Sequence, residues 1–596
     1  MSVVAQAQSM SAHKGSHSKP IAVLIVMPLI MALFGREWLY TPIGYLDPWY
    51  NVGFFMFYQD PAFLPDHYKL QRLPWLLPGW GLYHTMGPLA ANFILHVGAL
   101  LIATTFVYLT LARLVGQRSA FVVAATLTIY IPFLGSGGWD YQTAGEAAYY
   151  AVTLYLTVRA TQAENPRRYL VLTGAAYGAA IYSTIHLVNF LPVVAAFYIV
   201  VRRRNRMLVN ICSALGCGLV GFSVLTVALC IVNAMVGRGF LFFWPLLKIV
   251  IERVEDPAGQ KAWWLPLSAL LDPATSFHYL AFPVAVLVVS MLRLSTAAVG
   301  VGRLGSIRTL LIGQYIFLAL LWALWQQLGH PALEPDYFAH VLIIPAFLAL
   351  GGLLRGEVGE KSSISHTLLA CGLLLAFVPG AQGALAWAVA PQVMELTKSN
   401  GIEALEIYAV VIVLLVATMP RIAALGSVLV GMAGFSFAFL QLQPPDNPLY
   451  PHFWKSGVCV SNEQSFREII RLIKILKSEN PISWQTWIWR GPKGVRTFES
   501  GCTLDLDLLR GTMASPGTSQ FGLGTYANPG EIPDQYVGWV GDGHLVVAMV
   551  QYDKDADGMI ERFAKAGKKL TLIRRETINL GKIPILVLIY KSMRER

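Results

Sequence analysis

Charge is what this sequence has least of. Only 13% of its 596 residues are Asp, Glu, Lys or Arg, about half the share in a soluble globular chain. Acid is the scarcer sign, with 34 Asp and Glu against 45 Lys and Arg. Cysteine is also sparse: six residues, none in a C-x-x-C pair, which leaves no metal signature of that type. The segment before the first apolar run holds His13, Lys14, His17 and Lys19 but no Asp, Glu or Arg. No small-residue cleavage site is evident after that run, so a retained first helix fits better than a signal peptide. The formal charge of +11 sits largely in short loops between apolar runs. Membrane orientation accounts for it, and no nucleic-acid partner is expected.

What the chain does have is apolar length, with hydrophobic residues making up 55% of it. Candidate spans cover about 20–36, 86–111, 119–135, 144–160, 169–183, 186–201, 208–235, 277–294, 308–326, 338–354, 365–390, 403–419 and 422–441. The expectation is a polytopic α-helical membrane protein with about 11–13 transmembrane helices. Arg113 and Arg118, Arg159, Arg167 and Arg168, the Arg202–Arg206 cluster, Arg293, Arg303 and Arg308, Arg355 and Lys361, and Arg421 all fall on one side of that count. The positive-inside rule makes that side cytoplasmic.

The expected organisation is a cytoplasmic tail at 1–19, a transmembrane catalytic region at 20–442, a proline-rich linker at 443–451 and a soluble α/β or α+β domain at 452–596. The first outer loop is 37–85, and the soluble domain lies on the same extracytoplasmic side. In a bacterium this means the inner membrane, with the domain in the periplasm. Glu463 to Leu476 reads as an amphipathic helix, His544 to Gln551 as a strand, Met559 to Ala566 as a helix, and Leu570 to Arg574 and Ile585 to Tyr590 as strands.

The groups able to do chemistry gather on that outer side. Asp47, in Leu46-Asp47-Pro48-Trp49, starts a helix as a cap or serves as a base; the two roles are compatible. Asp140 follows Gly135-Ser136-Gly137-Gly138-Trp139 in a short loop, where its expected catalytic role is to orient an acceptor, share a metal or act as a partner base, the alternative being to cap the next span. Glu146 stands one or two turns further on. His67, Lys69 and Arg72 can neutralise a phosphate or be solvated surface charge. Lys248, Arg253 and Lys261 lie in an amphipathic stretch at 236–276, which is either a plain interfacial belt or the rim of a lipid groove. His330, Glu334, Asp336 and His340 form a third polar site, where the histidines can meet a phosphate and the acids sugar hydroxyls; the alternative is a simple connecting loop. Cys459 and Cys502 can form one disulfide in an oxidising compartment. Asp553 to Glu561 begins like a calcium loop, but Ala564 stands where a bidentate Glu is required, so a turn into a helix is the better reading.

A long first outer loop with Asp47 near its start, a second acid at Asp140, and a soluble C-terminal domain resemble one family. It is the GT-C superfamily of integral-membrane, polyprenyl-phosphate-sugar-dependent glycosyltransferases, which includes the aminoarabinose, protein mannosyl and arabinosyl transferases. The stretch Glu334–His340 resembles the late outer loop that helps bind the lipid phosphate, although Asp336-Tyr337 stands where a basic residue and tyrosine are usual. The resemblance implies inverting transfer of a monosaccharide from a polyprenyl-phosphate donor to a hydroxyl of an envelope glycan, glycolipid or protein, with Asp47 as base. Some relatives use a divalent metal, for which Asp47 and Asp140 are the candidates. Two other readings stay open: a transporter or flippase of a polyprenyl-linked substrate, and a non-catalytic envelope-assembly protein.

Overall fold

The computed structural model describes residues 17–34, 39–40, 46–61, 63–64, 67–138, 140–202, 207–255, 303–328, 339–354, 463–478, 488–489, 525–526, 537–538, 540–550, 552–580 and 583–594, with isolated helical positions at 283, 286, 287, 290 and 291. The expected spans at 365–390, 403–419 and 422–441, the linker, and Lys261, His330, Glu334, Asp336, Cys459 and Cys502 lie outside the described residues.

Each expected span within the described residues is helical. The helices are α1 (Ser18–Phe34), α2 (Leu46–Phe57), α3 (Leu73–Met86), α4 (Pro88–Leu114), α5 (Gln117–Ile129), α6 (Ile131–Ser136), α7 (Thr143–Gln162), α8 (Arg167–Ser183), α9 (Leu191–Arg202), α10 (Met207–Met235), α11 (Trp244–Glu255), α12 (Arg303–Gln327) and α13 (Ile343–Leu353). Among the described residues, Pro88–Leu114, Ile185–Arg202, Ile211–Met235 and Ile307–Gln327 are long and apolar enough to cross a membrane. The chain is a multi-pass, mostly helical membrane protein.

Local chemistry sets the breaks. Pro88 opens α4 directly after Gly87, whose φ of +79° suits glycine. The single expected span at 119–135 is two helices, α5 and α6. Pro132 has no N–H to offer the carbonyl of Thr128, so the ladder stops and Tyr130 is extended. The span expected at 186–201 begins instead as a 3-10 turn, Ile185–Phe190, before α9 takes over.

The helices differ in what they face. Within its apolar window α4 is 61% buried and α10 only 17%, so α4 sits at the centre and α10 presents Leu215, Leu219, Val224 and Ile231 to lipid. α8 and α10 approach backbone to backbone. A Cβ on Gly174 would lie 1.8 Å from the Gly218 carbonyl oxygen, and one on Gly221 1.8 Å from that of Val171. Small residues are what allow such a crossing between membrane helices.

The C-terminal region adds α14 (Glu463–Ser478), α15 (Asp557–Lys565) and a three-stranded antiparallel sheet. Its strands are β3 (Leu545–Val550), β4 (Lys568–Leu580) and β5 (Ile583–Arg594), in the order β3-β5-β4. The short β1 (Ile488–Trp489) and β2 (Thr525–Tyr526) pair in parallel. Alternation along β3 and β5 buries residues on both sheet faces. Val546, Ala548, Val550, Leu586 and Leu588 pack with Met559 and Phe563 of α15. Leu545, Val547, Val587, Ile589 and Ile578 join Phe466, Ile469 and Ile473 of α14 in a core continuous with that of the membrane helices. β4 continues to Leu580, beyond the expected end at Arg574, because β5 pairs with it as far as Ile583.

Candidate active site

Asp47 lies in the first turn of α2, one residue inside the helix start. The other end of α2 is fixed by Arg238, which follows α10. Its Nε, Nη1 and Nη2 donate to the main-chain carbonyls of Tyr58, Phe63 and Asp60 at 3.0, 2.9 and 2.6 Å. A guanidinium at a helix C-terminus also meets the negative end of the helix dipole. Burial pushes the Arg238 pKa below its usual value, against the opposing pull of Tyr58 and Asp60. Burial raises the Tyr58 phenol to about 12, and its hydroxyl donates to Asn233 Oδ1 at 3.0 Å.

Asp140 is fully buried and left-handed, with φ +59°, a conformation that Asp tolerates better than most side chains. Its carbonyl accepts from Asn51 Nδ2 at 3.0 Å and Trp75 Nε1 at 3.3 Å. Asn51 is one helical turn beyond Asp47, so the Asp140 loop is tied to the helix that bears Asp47. The Asp140 carboxylate accepts from Asn92 Nδ2 at 2.8 Å. The single proton of the Tyr83 hydroxyl lies between Asn92 Oδ1, at 2.5 Å, and Asp140 Oδ1, at 3.2 Å. Burial first, and then the Asp140 charge, push the Tyr83 pKa well above the usual phenol value, so Tyr83 stays a donor.

Lys69 and Arg72 sit together on a buried 3-10 turn, Tyr68–Arg72. His67 caps this turn, its Nδ1 accepting the Lys69 N–H at 3.3 Å. Lys69 Nζ lies 4.9 Å from the centre of the Tyr50 ring and 5.9 Å from that of Tyr141. The Arg72 guanidinium lies 5.4 Å from the Tyr141 ring. Lys69 is 0% and Arg72 7% exposed, and Arg72 Nε and Nη1 have no hydrogen-bond partner among the described residues. Buried cations are costly without anionic or hydrogen-bonding partners, and this forked donor fits phosphate oxygens. α11 packs against the same turn. This helix carries Lys248, which is exposed, and Arg253.

Glu146 and His340, 194 residues apart, meet directly. His340 Nε2 lies 2.5 Å from Glu146 Oε1, and the Thr184 hydroxyl donates to Oε2. Both carboxylate oxygens are thus engaged inside the protein.

Tyr83, Asn92, His96, Thr184 and Arg238 are not among the residues expected from the sequence. The available signal was their polarity within or beside apolar runs, since such groups inside membranes need partners.

A family model described as dolichyl-phosphate-mannose-protein mannosyltransferase matches residues 89–231. The chain is similar in structure to ArnT from Cupriavidus metallidurans bound to undecaprenyl phosphate, at 14% identity over 96% of this chain and 98% of that one, with a TM-score of 0.50. It is also similar to the archaeal oligosaccharyltransferase AglB from Archaeoglobus fulgidus in complex with an inhibitory peptide and a dolichol-phosphate, at 13% identity over 80% and 62% of the two chains, with a TM-score of 0.39. No curated protein matches in sequence. The chain has the fold of the GT-C glycosyltransferase superfamily, as the sequence resemblance implied.

Proposed function

We propose, from the GT-C fold and the buried cationic turn, that this chain is an inverting glycosyltransferase. It moves a monosaccharide from a polyprenyl-phosphate donor to a hydroxyl of an envelope glycan, glycolipid or protein. The reaction takes place on the extracytoplasmic face, in a bacterium at the inner membrane. The observation that carries this reading is Arg72, whose buried Nε and Nη1 have no partner among the described residues, beside buried Lys69. The forked Arg72 donor suits the phosphate of a lipid-linked sugar, and the similar ArnT structure is described as bound to undecaprenyl phosphate.

In this mechanism the acceptor hydroxyl passes its proton to the Asp47 carboxylate as its oxygen attacks the anomeric carbon. The bond from that carbon to the phosphate oxygen breaks on the opposite face, and the electron pair leaves with the polyprenyl phosphate. Lys69 and Arg72 stabilise the charge on the leaving group. Asp140 holds the architecture: its carbonyl anchors Asn51 of α2. Asn92 directs an N–H at the Asp140 carboxylate, and Tyr83 shares its proton there.

The test is reconstitution of wild type, Asp47→Asn and Arg72→Met with candidate polyprenyl-phosphate sugars. Asp47→Asn is expected to lose transfer by about 100-fold or more while still binding polyprenyl phosphate. Arg72→Met is expected to bind it about tenfold more weakly. Transfer by Asp47→Asn at the wild-type rate would remove Asp47 from the mechanism. Unchanged lipid-phosphate binding by Arg72→Met would remove the cationic turn.

A further inference from the structure

We infer that the C-terminal domain is part of the catalytic apparatus, acting through Phe466 as a positioning residue for the helix that carries Asp47. The inference rests on the glycosyl-transfer reading for its kinetic consequence, but the mechanical coupling stands on the packing alone.

α14 repeats its apolar residues at helical spacing: Phe466, Ile469, Ile470 and Ile473 are all buried. The helix is tied to its own sheet by Arg471, which reaches Glu576 at 3.2 Å and the Thr577 carbonyl at 2.6 Å. Phe466 reaches the other way. Its ring stacks on Trp49, with centroids 5.5 Å apart and planes 25° apart, and packs against Tyr40 at 5.4 Å. The exposures of Phe466, Trp49 and Tyr40 are 0%, 0% and 3%. At this point α14 and α2 share one core.

Trp49 is two residues after Asp47, in the first turn of α2. The first turn of a helix has amide groups without intrahelical acceptors, and it is where helices fray. Arg238 fixes the far end of α2 through the carbonyls of Tyr58, Asp60 and Phe63. The Phe466 stack restrains the near end. Remove the ring, and Trp49 loses a stacking contact next to the position from which the base must act. A displacement of about 1 Å at a reacting group can cost about 100-fold in rate. The cationic turn Tyr68–Arg72 has no ring contact with Phe466 and meets α2 through Tyr50, whose ring centre lies 4.9 Å from Lys69 Nζ, so donor affinity should change less than the rate.

The experiment compares the full-length wild type with Phe466→Ala, Phe466→Leu and Phe466→Tyr in lipid. Two readouts are used: steady-state transfer, and hydrogen exchange of peptides covering α2, α4 and α7. Phe466→Ala is expected to lower kcat by about 100-fold, with a smaller change, under about tenfold, in donor KM. Phe466→Tyr should restore most of the rate. Exchange over residues 46–52 should quicken by about tenfold, with α4 and α7 unchanged. Phe466→Leu, which fills most of the volume without stacking, should fall between and serves if Phe466→Ala does not fold. Wild-type kcat in Phe466→Ala with unchanged exchange over α2 overturns the inference. So does faster exchange in all three helices, which is the sign of general destabilisation. Should the wild type transfer no polyprenyl-linked sugar, the glycosyl-transfer reading fails, and exchange over α2 alone decides whether Phe466 holds that helix.

Discussion

The imidazole of His96 accepts the main-chain N–H of Asp140 through Nε2 at 3.1 Å, from α4 to the loop before α7. Its other nitrogen, Nδ1, lies 2.7 Å from the Gly137 carbonyl oxygen, which can only accept. The proton is therefore on Nδ1 and the lone pair on Nε2. The 3.3 Å separation between Nε2 and Asp140 Oδ1 is then a close approach rather than a donated bond. His96 thus holds two main-chain groups of the loop that places Asp140.

His96→Ala should leave the Asp140 amide and the Gly137 carbonyl without their partner, at about 1–3 kcal/mol for each buried group. The expected outcome is a lower melting temperature together with reduced transfer. Wild-type stability and rate in the variant would show that the loop does not depend on this histidine.

Glu146 and His340 should prove energetically coupled. Their contact joins α7 to the 3-10 turn Ala339–Leu342, which precedes α13. A double-mutant cycle with Glu146→Gln and His340→Ala is expected to give a coupling of about 1–3 kcal/mol. Additive effects on stability would separate the two residues.

Arg238→Met should release the loop after α2. It removes three donated bonds at once and leaves the carbonyls of Tyr58, Asp60 and Phe63 to find other partners. A loss of about 3 kcal/mol is expected, measured by thermal unfolding. Arg238→Lys should rescue only part of this, because an ammonium cannot reproduce the planar fork. Full rescue by lysine would show that charge, not geometry, matters there.

Stability of the C-terminal domain should fall in mild acid through His544. Burial, and then Lys568, push its pKa below the usual 6.5, and its Nδ1 accepts the Gly541 N–H at 2.9 Å. The unfolded chain takes up this proton near pH 6.5, whereas the folded one takes it up only at lower pH. The stability contributed above that pH is therefore lost as pH falls towards the lowered folded value. Comparing the thermal unfolding of wild type and His544→Gln at pH 7.5 and 5.5 checks this. An equal acid effect in both would assign the sensitivity to other groups.

The membrane class, the positions of the described spans, and the helix and strands of the C-terminal region were legible in the sequence. Each depends on signals local to a few turns: apolar length, alternation, proline and glycine. The cationic turn was legible as residue types, since His67, Lys69 and Arg72 stand together in one loop. Its burial was not, because what covers a side chain depends on neighbours far along the chain. The departures have the same origin. β4 outruns its expected end because a partner strand extends it, and the split between α5 and α6 turns on one missing amide hydrogen at Pro132.

By itself, then, the sequence determined that this chain folds as membrane helices with acids and cations in the loops between them. Only the tertiary structure decided that Asp140 meets Asn92 and His96, that Glu146 meets His340, and that Phe466 lies on Trp49. The physical reason is that a helix's own residues set its length and its apolar face. Which polar group on that face finds a partner depends on the rotation and crossing of helices distant in sequence, and those are set when the helices pack.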